Sequence, residues 1–146
     1  MILKISLLIG FILAGLAGLG QKPPVYSNVD GAVAGYDVVA YFYPGAAIKG
    51  FDSLSYNYEG AVWKFASRAN LDSFRTSPQR FLPKYGGYCA YGVSGNYKAP
   101  TSADAWTIVN NQLYLNYNKD VQKTWLKERD ARIIRADKNW SELRSK

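Results

Sequence analysis

Two short segments constrain the fold more than anything else in this chain. Leu54 to Tyr58 and Ala61 to Phe65 alternate with a period of two. In an extended strand that period puts Leu54, Tyr56 and Tyr58 on one face, and Trp63 and Phe65 on one face of the partner. Glu59-Gly60 between them has the length and composition of a tight hairpin turn. A second pair, Thr107 to Val109 and Gln112 to Leu115, is joined across Asn110-Asn111. Asparagine tolerates the left-handed conformations such a turn needs.

Helix signals fill much of the remaining chain. Ser67 is placed to cap a helix through Ala69 to Phe74, with Leu71 and Phe74 on one face. Pro78 suits the first position of a further helical turn that carries Phe81 and Leu82 inward. Asn118 caps a C-terminal amphipathic helix, with Val121, Trp125 and Leu126 on its apolar stripe. Glu128 to Asp130 marks a bend, after which Ile133, Ile134, Ala136 and Trp140 continue the stripe. Lys119, Lys123, Lys127, Arg132 and Arg135 are expected to face water. Tyr36 to Phe42 is apolar apart from Asp37 and reads as a buried strand or one helical turn, with Asp37 capping at Val38 rather than acting in catalysis. The expected fold is α+β: a small antiparallel sheet made by joining the two β-hairpins, helices packed on one side, and the C-terminal amphipathic helix.

The N-terminus bears on compartment. Lys4 precedes an uncharged run from Ile5 to Gly20 that ends in the small-x-small pattern Gly18-Leu19-Gly20. That is the layout of a secretory signal, and residues 1–20 are expected to be one. The competing reading is an uncleaved anchor, for which the run is short and rich in glycine. No cysteine stands at the cleavage site, which excludes a lipoprotein anchor there. The mature chain is expected to be secreted or periplasmic. Residues 21–28, with Pro23-Pro24, read as an extended linker, and residues 29–146 as one domain.

The absences limit the chemistry. There is no histidine and one cysteine, Cys89. Ser-His-Asp and Cys-His pairs are therefore impossible, an ordinary zinc site lacks its donors, and no internal disulfide can form. Four Trp, 12 Tyr and 6 Phe imply a core built on rings instead. The formal charge is +7. An exported chain is not expected to meet nucleic acid as a partner. Attraction to an anionic membrane surface fits the basic C-terminal helix, unless its cations are only a solvated face.

One stretch stands out chemically. Lys84-Tyr-Gly-Gly-Tyr-Cys-Ala-Tyr-Gly-Val-Ser-Gly95 gathers Tyr85, Tyr88, Tyr91 and the glycines Gly86, Gly87, Gly92 and Gly95 around Cys89. Glycine permits positive φ and close backbone approach. The tyrosines are either core or the walls of a ligand pocket. Cys89 reads two ways: a small buried apolar side chain, or a thiolate made reactive or ligating by nearby positive charge, with Lys84 and Lys98 near in sequence. A thiolate with few other ligands suits a soft metal ion such as copper. A monomer and a Cys89-linked dimer are both open.

Gly35-Tyr-Asp-Val-Val-Ala-Tyr-Phe42, Tyr58-Glu-Gly-Ala-Val-Trp-Lys-Phe-Ala-Ser67, Ser77 to Gly92 and Leu113-Tyr-Leu-Asn-Tyr-Asn118 together resemble the exported YHS-domain family of bacterial proteins. The resemblance spans nearly all of residues 29–140, and Gly-Gly-Tyr-Cys-Ala-Tyr-Gly is its most specific part. It implies a small metal-binding type of module, with Cys89 at a redox or soft-ligand position and Tyr88 and Tyr91 as its walls. This chain lacks the family's histidine and any second cysteine, so a family metal site does not carry over beyond Cys89.

The sequence thus leads to a non-enzymatic binding module for a soft metal ion or small ligand at the Cys89 loop. The alternatives are a lone-thiol redox protein that needs an external resolving thiol, and a structural or partner-binding domain that uses the basic C-terminal helix.

Overall fold

A computed structural model describes residues 20–146. The expected signal segment lies, apart from Gly20, outside the described residues. The fold is α+β, with helices interleaved among three small antiparallel ladders. A minimal first ladder pairs β1 (Ser27–Asn28) with β2 (Gly31–Ala32). The second pairs β3 (Phe51–Tyr58) with β4 (Ala61–Phe65). Helices α1 (Arg68–Thr76), α2 (Pro78–Phe81) and α3 (Ala90–Ser94) follow. The third ladder pairs β5 (Trp106–Val109) with β6 (Gln112–Leu115), and α4 (Lys119–Lys127) and α5 (Arg129–Leu143) end the chain.

Both expected hairpins form. Glu59-Gly60 and Asn110-Asn111 turn with positive φ at both central positions (50° and 72°, 50° and 59°). This is the turn class whose twist matches paired strands. The hairpins do not merge into one sheet, however: each remains a separate two-stranded ladder. Helices and aromatic side chains fill the space between them. Ser67 caps α1 by accepting a hydrogen bond from the Asn70 N–H, and Asn118 caps α4 by accepting from the Val121 N–H. Glu128 leaves helical geometry (φ −129°, ψ 30°) and divides α4 from α5 at the expected bend.

Strand β6 couples the two parts of the core. Its alternation sends Leu113 and Leu115 into one apolar cluster and Tyr114 into the other. The first cluster is centred on the Phe74 ring, which meets Phe65, Trp63, Tyr58 and Tyr56 at centroid distances of 5.1, 5.5, 5.8 and 6.3 Å. Burying one such ring contributes about 2–3 kcal/mol. The second cluster packs Tyr85, Tyr88, Val93 and Tyr114 against Trp125, Ala136 and Leu143. Among the described residues no helix is long and apolar enough to cross a membrane.

Asp37 is fully buried yet completely partnered. One carboxylate oxygen accepts from the N–H groups of Val39 and Ala40, and the other from the Ala66 N–H and Asn70 Nδ2. It organises the turn after Gly35 and ties it to the start of α1. That turn, Val38 to Pro44, is neither a strand nor a regular helix.

Residues 21–28 are extended, as their prolines require, but they are docked. Val25 is buried, and the Tyr26 N–H donates to Gly86 O. The buried Lys98 ammonium reaches over from the loop after α3 and donates to the carbonyls of Lys22, Pro23 and Arg144. It also lies 5.3 Å from the Tyr88 ring centroid and 5.6 Å from that of Trp140. The N-terminal strap is thereby clamped to the end of α5.

The C-terminal helices depart from the expected stripe at three positions. Ile134 is 72% exposed and Leu126 45%. The Arg132 side chain, expected in water, is turned inward instead. In a helix the positions one residue apart diverge by about 100°, so Ile133 and Ile134 cannot share one narrow buried face.

Candidate functional site at the Tyr85–Gly92 loop

The loop is shaped by its backbone. Pro83 ends α2, and Lys84–Gly87 form a tight 3₁₀ turn in which Tyr85, Gly86 and Gly87 all have positive φ. A Cβ at Gly86 would lie 1.8 Å from the Pro24 carbonyl oxygen, and one at Gly87 would lie 2.4 Å from Val33 Cγ1. These glycines admit the N-terminal strap and Val33 against the turn, which is a packing role. Gly92 similarly receives the Tyr97 ring, whose nearest atom would stand 3.0 Å from an added Cβ.

The tyrosines divide their duties. Tyr85 is buried, and its hydroxyl donates to Asp137 on α5 at 2.9 Å. Burial, reinforced by that carboxylate, holds the Tyr85 phenol well above the ordinary tyrosine range. Tyr88 is buried and donates to Pro23 O at 2.8 Å. Tyr91 is half-buried, and the Arg132 guanidinium stacks on its ring at 4.0 Å from the centroid. Arg132 also donates to Ser94 Oγ and pairs with Glu128. Each of the three tyrosines therefore joins the loop to the strap or to α5.

Cys89 sits behind the turn, just before α3, and is 2% exposed. Its thiol meets Asn116 Oδ1 at 3.5 Å, and the same oxygen accepts from the Tyr91 N–H at 3.0 Å. Burial pushes the thiol pKa up; the nearby N–H groups of Gly92, Tyr117 and Tyr91 pull it the other way and lose. Neither neighbouring lysine serves the sulfur as partner: Lys84 pairs with Asp137 at 3.2 Å, and Lys98 serves the backbone clamp. Among the described residues no group of three His, Cys, Asp or Glu side chains is placed to hold a metal ion. The surroundings of Cys89 therefore do not fit a soft metal ion, because one buried sulfur and a side-chain amide make an incomplete donor set. A bridge between two copies through Cys89 is likewise closed in this conformation, since the sulfur is covered.

The outer face of the same turn is different. A groove of about 310 Å³ runs over Lys84, Tyr85 and Gly86 and does not include Cys89. Trp63, Trp140 and Pro24 contribute its apolar walls, and Gln79, Gln112, Glu59 and Arg144 bring polar groups to it. Of the residues singled out from the sequence, Tyr85 and Gly86 line this groove, whereas Gly87 packs against Val33, Tyr88 against the strap, Tyr91 against Arg132 and Gly92 against Tyr97. Gln79, Gln112 and Arg144 had no sequence signal, and Trp140 signalled only an apolar helix stripe. They come from α2, β6 and the C-terminal part of α5 and meet only in the folded chain. No family model matches this chain, and no curated protein or solved structure matches it.

Proposed function

We propose that the chain is an exported, non-enzymatic binding module of the YHS type. Its ligand is a small polar molecule seated in the groove outside the Lys84–Gly87 turn, with Cys89 acting as packing behind it. The observation that carries this reading is that two amides, Gln79 and Gln112, two cations, Lys84 and Arg144, and the Glu59 carboxylate line one groove with Tyr85, Trp63 and Trp140. A concave site that combines ring surfaces with a few polar side chains is a usual form of a small-molecule site, and here polar surface predominates. Amides and guanidinium together suit a ligand rich in acceptor oxygens. The family resemblance supports a binding role for this loop, and the burial of the thiol supports an outer-surface site over one at Cys89.

Two tryptophans line the groove, so occupancy is read by intrinsic fluorescence. Titration with a panel of small carboxylates, phosphates and sugars is expected to give saturable binding for one class. Replacing both Gln79 and Gln112 by Ala weakens that binding at least tenfold, while Cys89→Ala leaves it intact. Binding that is indifferent to the two glutamines and lost with Cys89 contradicts the assignment. Copper uptake that is stoichiometric in the parent and lost in Cys89→Ser would restore the thiol-ligand reading.

A further inference from the structure

Helices α4 and α5 carry cations that the fold does not use. Glu128 is taken by Arg132, Asp130 by Arg129, and Glu142 by Lys146. Lys123, Lys127, Arg135 and Lys138 are exposed and, among the described residues, enter none of these ion pairs. Leu126, Lys127, Ala131 and Arg135 border one shallow depression at the elbow between the two helices, together with the already paired Glu128, Arg129 and Asp130. Ile134, 72% exposed, is the neighbour of Arg135 and lies one turn from Ala131 and Lys138. Exposed aliphatic side chains and uncompensated cations thus share one face.

We infer that this face binds the surface of an anionic lipid bilayer. Charge complementarity selects an anionic partner. The aliphatic side chains select lipid over a dissolved polyanion, because Leu126 and Ile134 gain from entering the headgroup boundary and gain little from a sugar–phosphate or sulfated chain. Each cation near such a surface contributes on the order of a fivefold increase in partitioning, and salt weakens it.

The test uses the full chain with vesicles of phosphatidylglycerol and phosphatidylcholine against vesicles of phosphatidylcholine alone. The apolar N-terminal run contributes to both, so the quantity read is the increment between them. That increment is expected to be at least tenfold at low salt. It should fall by at least tenfold in K127Q/R135Q and by less than threefold in R68Q/R75Q, which removes the same charge elsewhere. L126S/I134S should weaken vesicle binding but not retention on heparin. Equal losses from the two charge pairs, or no preference for anionic vesicles, overturn the inference. Vesicle binding unchanged in L126S/I134S would overturn it in favour of a polyanion surface. Circular dichroism of every variant keeps misfolding from imitating a loss.

Discussion

Replacing Gly86 by alanine tests the packing of the whole loop. Gly86 has φ of +61°, and its Cβ position is occupied by the Pro24 carbonyl oxygen at 1.8 Å, with Pro24 C at 2.9 Å and Val25 Cα at 3.2 Å. The left-handed backbone alone costs an alanine about 1 kcal/mol. The overlap is with backbone, so no side chain can rotate away, and the strap must lift. Lifting it breaks the Tyr26 N–H bond to Gly86 O, about 1 kcal/mol, and exposes Val25, about 1.5–2 kcal/mol. The expected total is about 4 kcal/mol. Gly60→Ala is the internal control: its φ is +72°, and nothing lies within 4 Å of the added carbon, so only the backbone cost of about 1 kcal/mol applies. In urea, with a slope of about 2 kcal/mol/M, the midpoint should fall about 2 M for Gly86→Ala and about 0.5 M for Gly60→Ala. Hydrogen exchange at the Tyr26 amide should also accelerate in the first variant only. Equal shifts for the two variants would refute the argument that the strap is seated on the turn.

The remaining expectations concern buried polar groups. Asp37→Ala leaves four donors in a dry site without their acceptor and should cost about 3 kcal/mol or more in the same unfolding assay. Tyr85 and Tyr41 have folded pKa values raised chiefly by burial, so the folded state holds protons that the unfolded state releases above about pH 10. Their stabilisation is therefore complete below pH 10 and is lost as pH rises beyond it. The urea midpoint should decline steeply between pH 10 and 11, and less so in Tyr85→Phe. Lys98→Met removes the cation shared by the Lys22, Pro23 and Arg144 carbonyls, and should free the strap to hydrogen exchange while leaving the two hairpins protected.

Local order was legible in the sequence and long-range assembly was not. Period-two alternation placed the first hairpin, the Asn110-Asn111 turn placed the second, and Ser67 and Asn118 marked their helices, because these signals act within a few residues. The same alternation is silent on which strands join, so the separation of the ladders could not be read. Arg132 looked like one more surface cation. Its inward position depends on Tyr91 and Ser94, about 40 residues earlier in the chain. Pro23-Pro24 correctly signalled extended chain, but the docking of that segment depends on Gly86 and Lys98, which no local pattern connects to it. The loop around Cys89 was recognisable as special from its composition. Whether its face or its back meets a ligand depends on burial, and a run of glycines and tyrosines encodes both alternatives equally.

The central claim is that Cys89 is a packed core side chain behind the turn. Alkylation of Cys89 by iodoacetamide at pH 8, in the native protein and in urea, tests it most directly. With Cys89 2% exposed and its thiol pKa raised by burial, reaction requires the loop to open, and the native rate should be at least about 100-fold below the unfolded rate. A native rate within about tenfold of the unfolded one would mean that the thiol is presented to solvent, and would contradict the account.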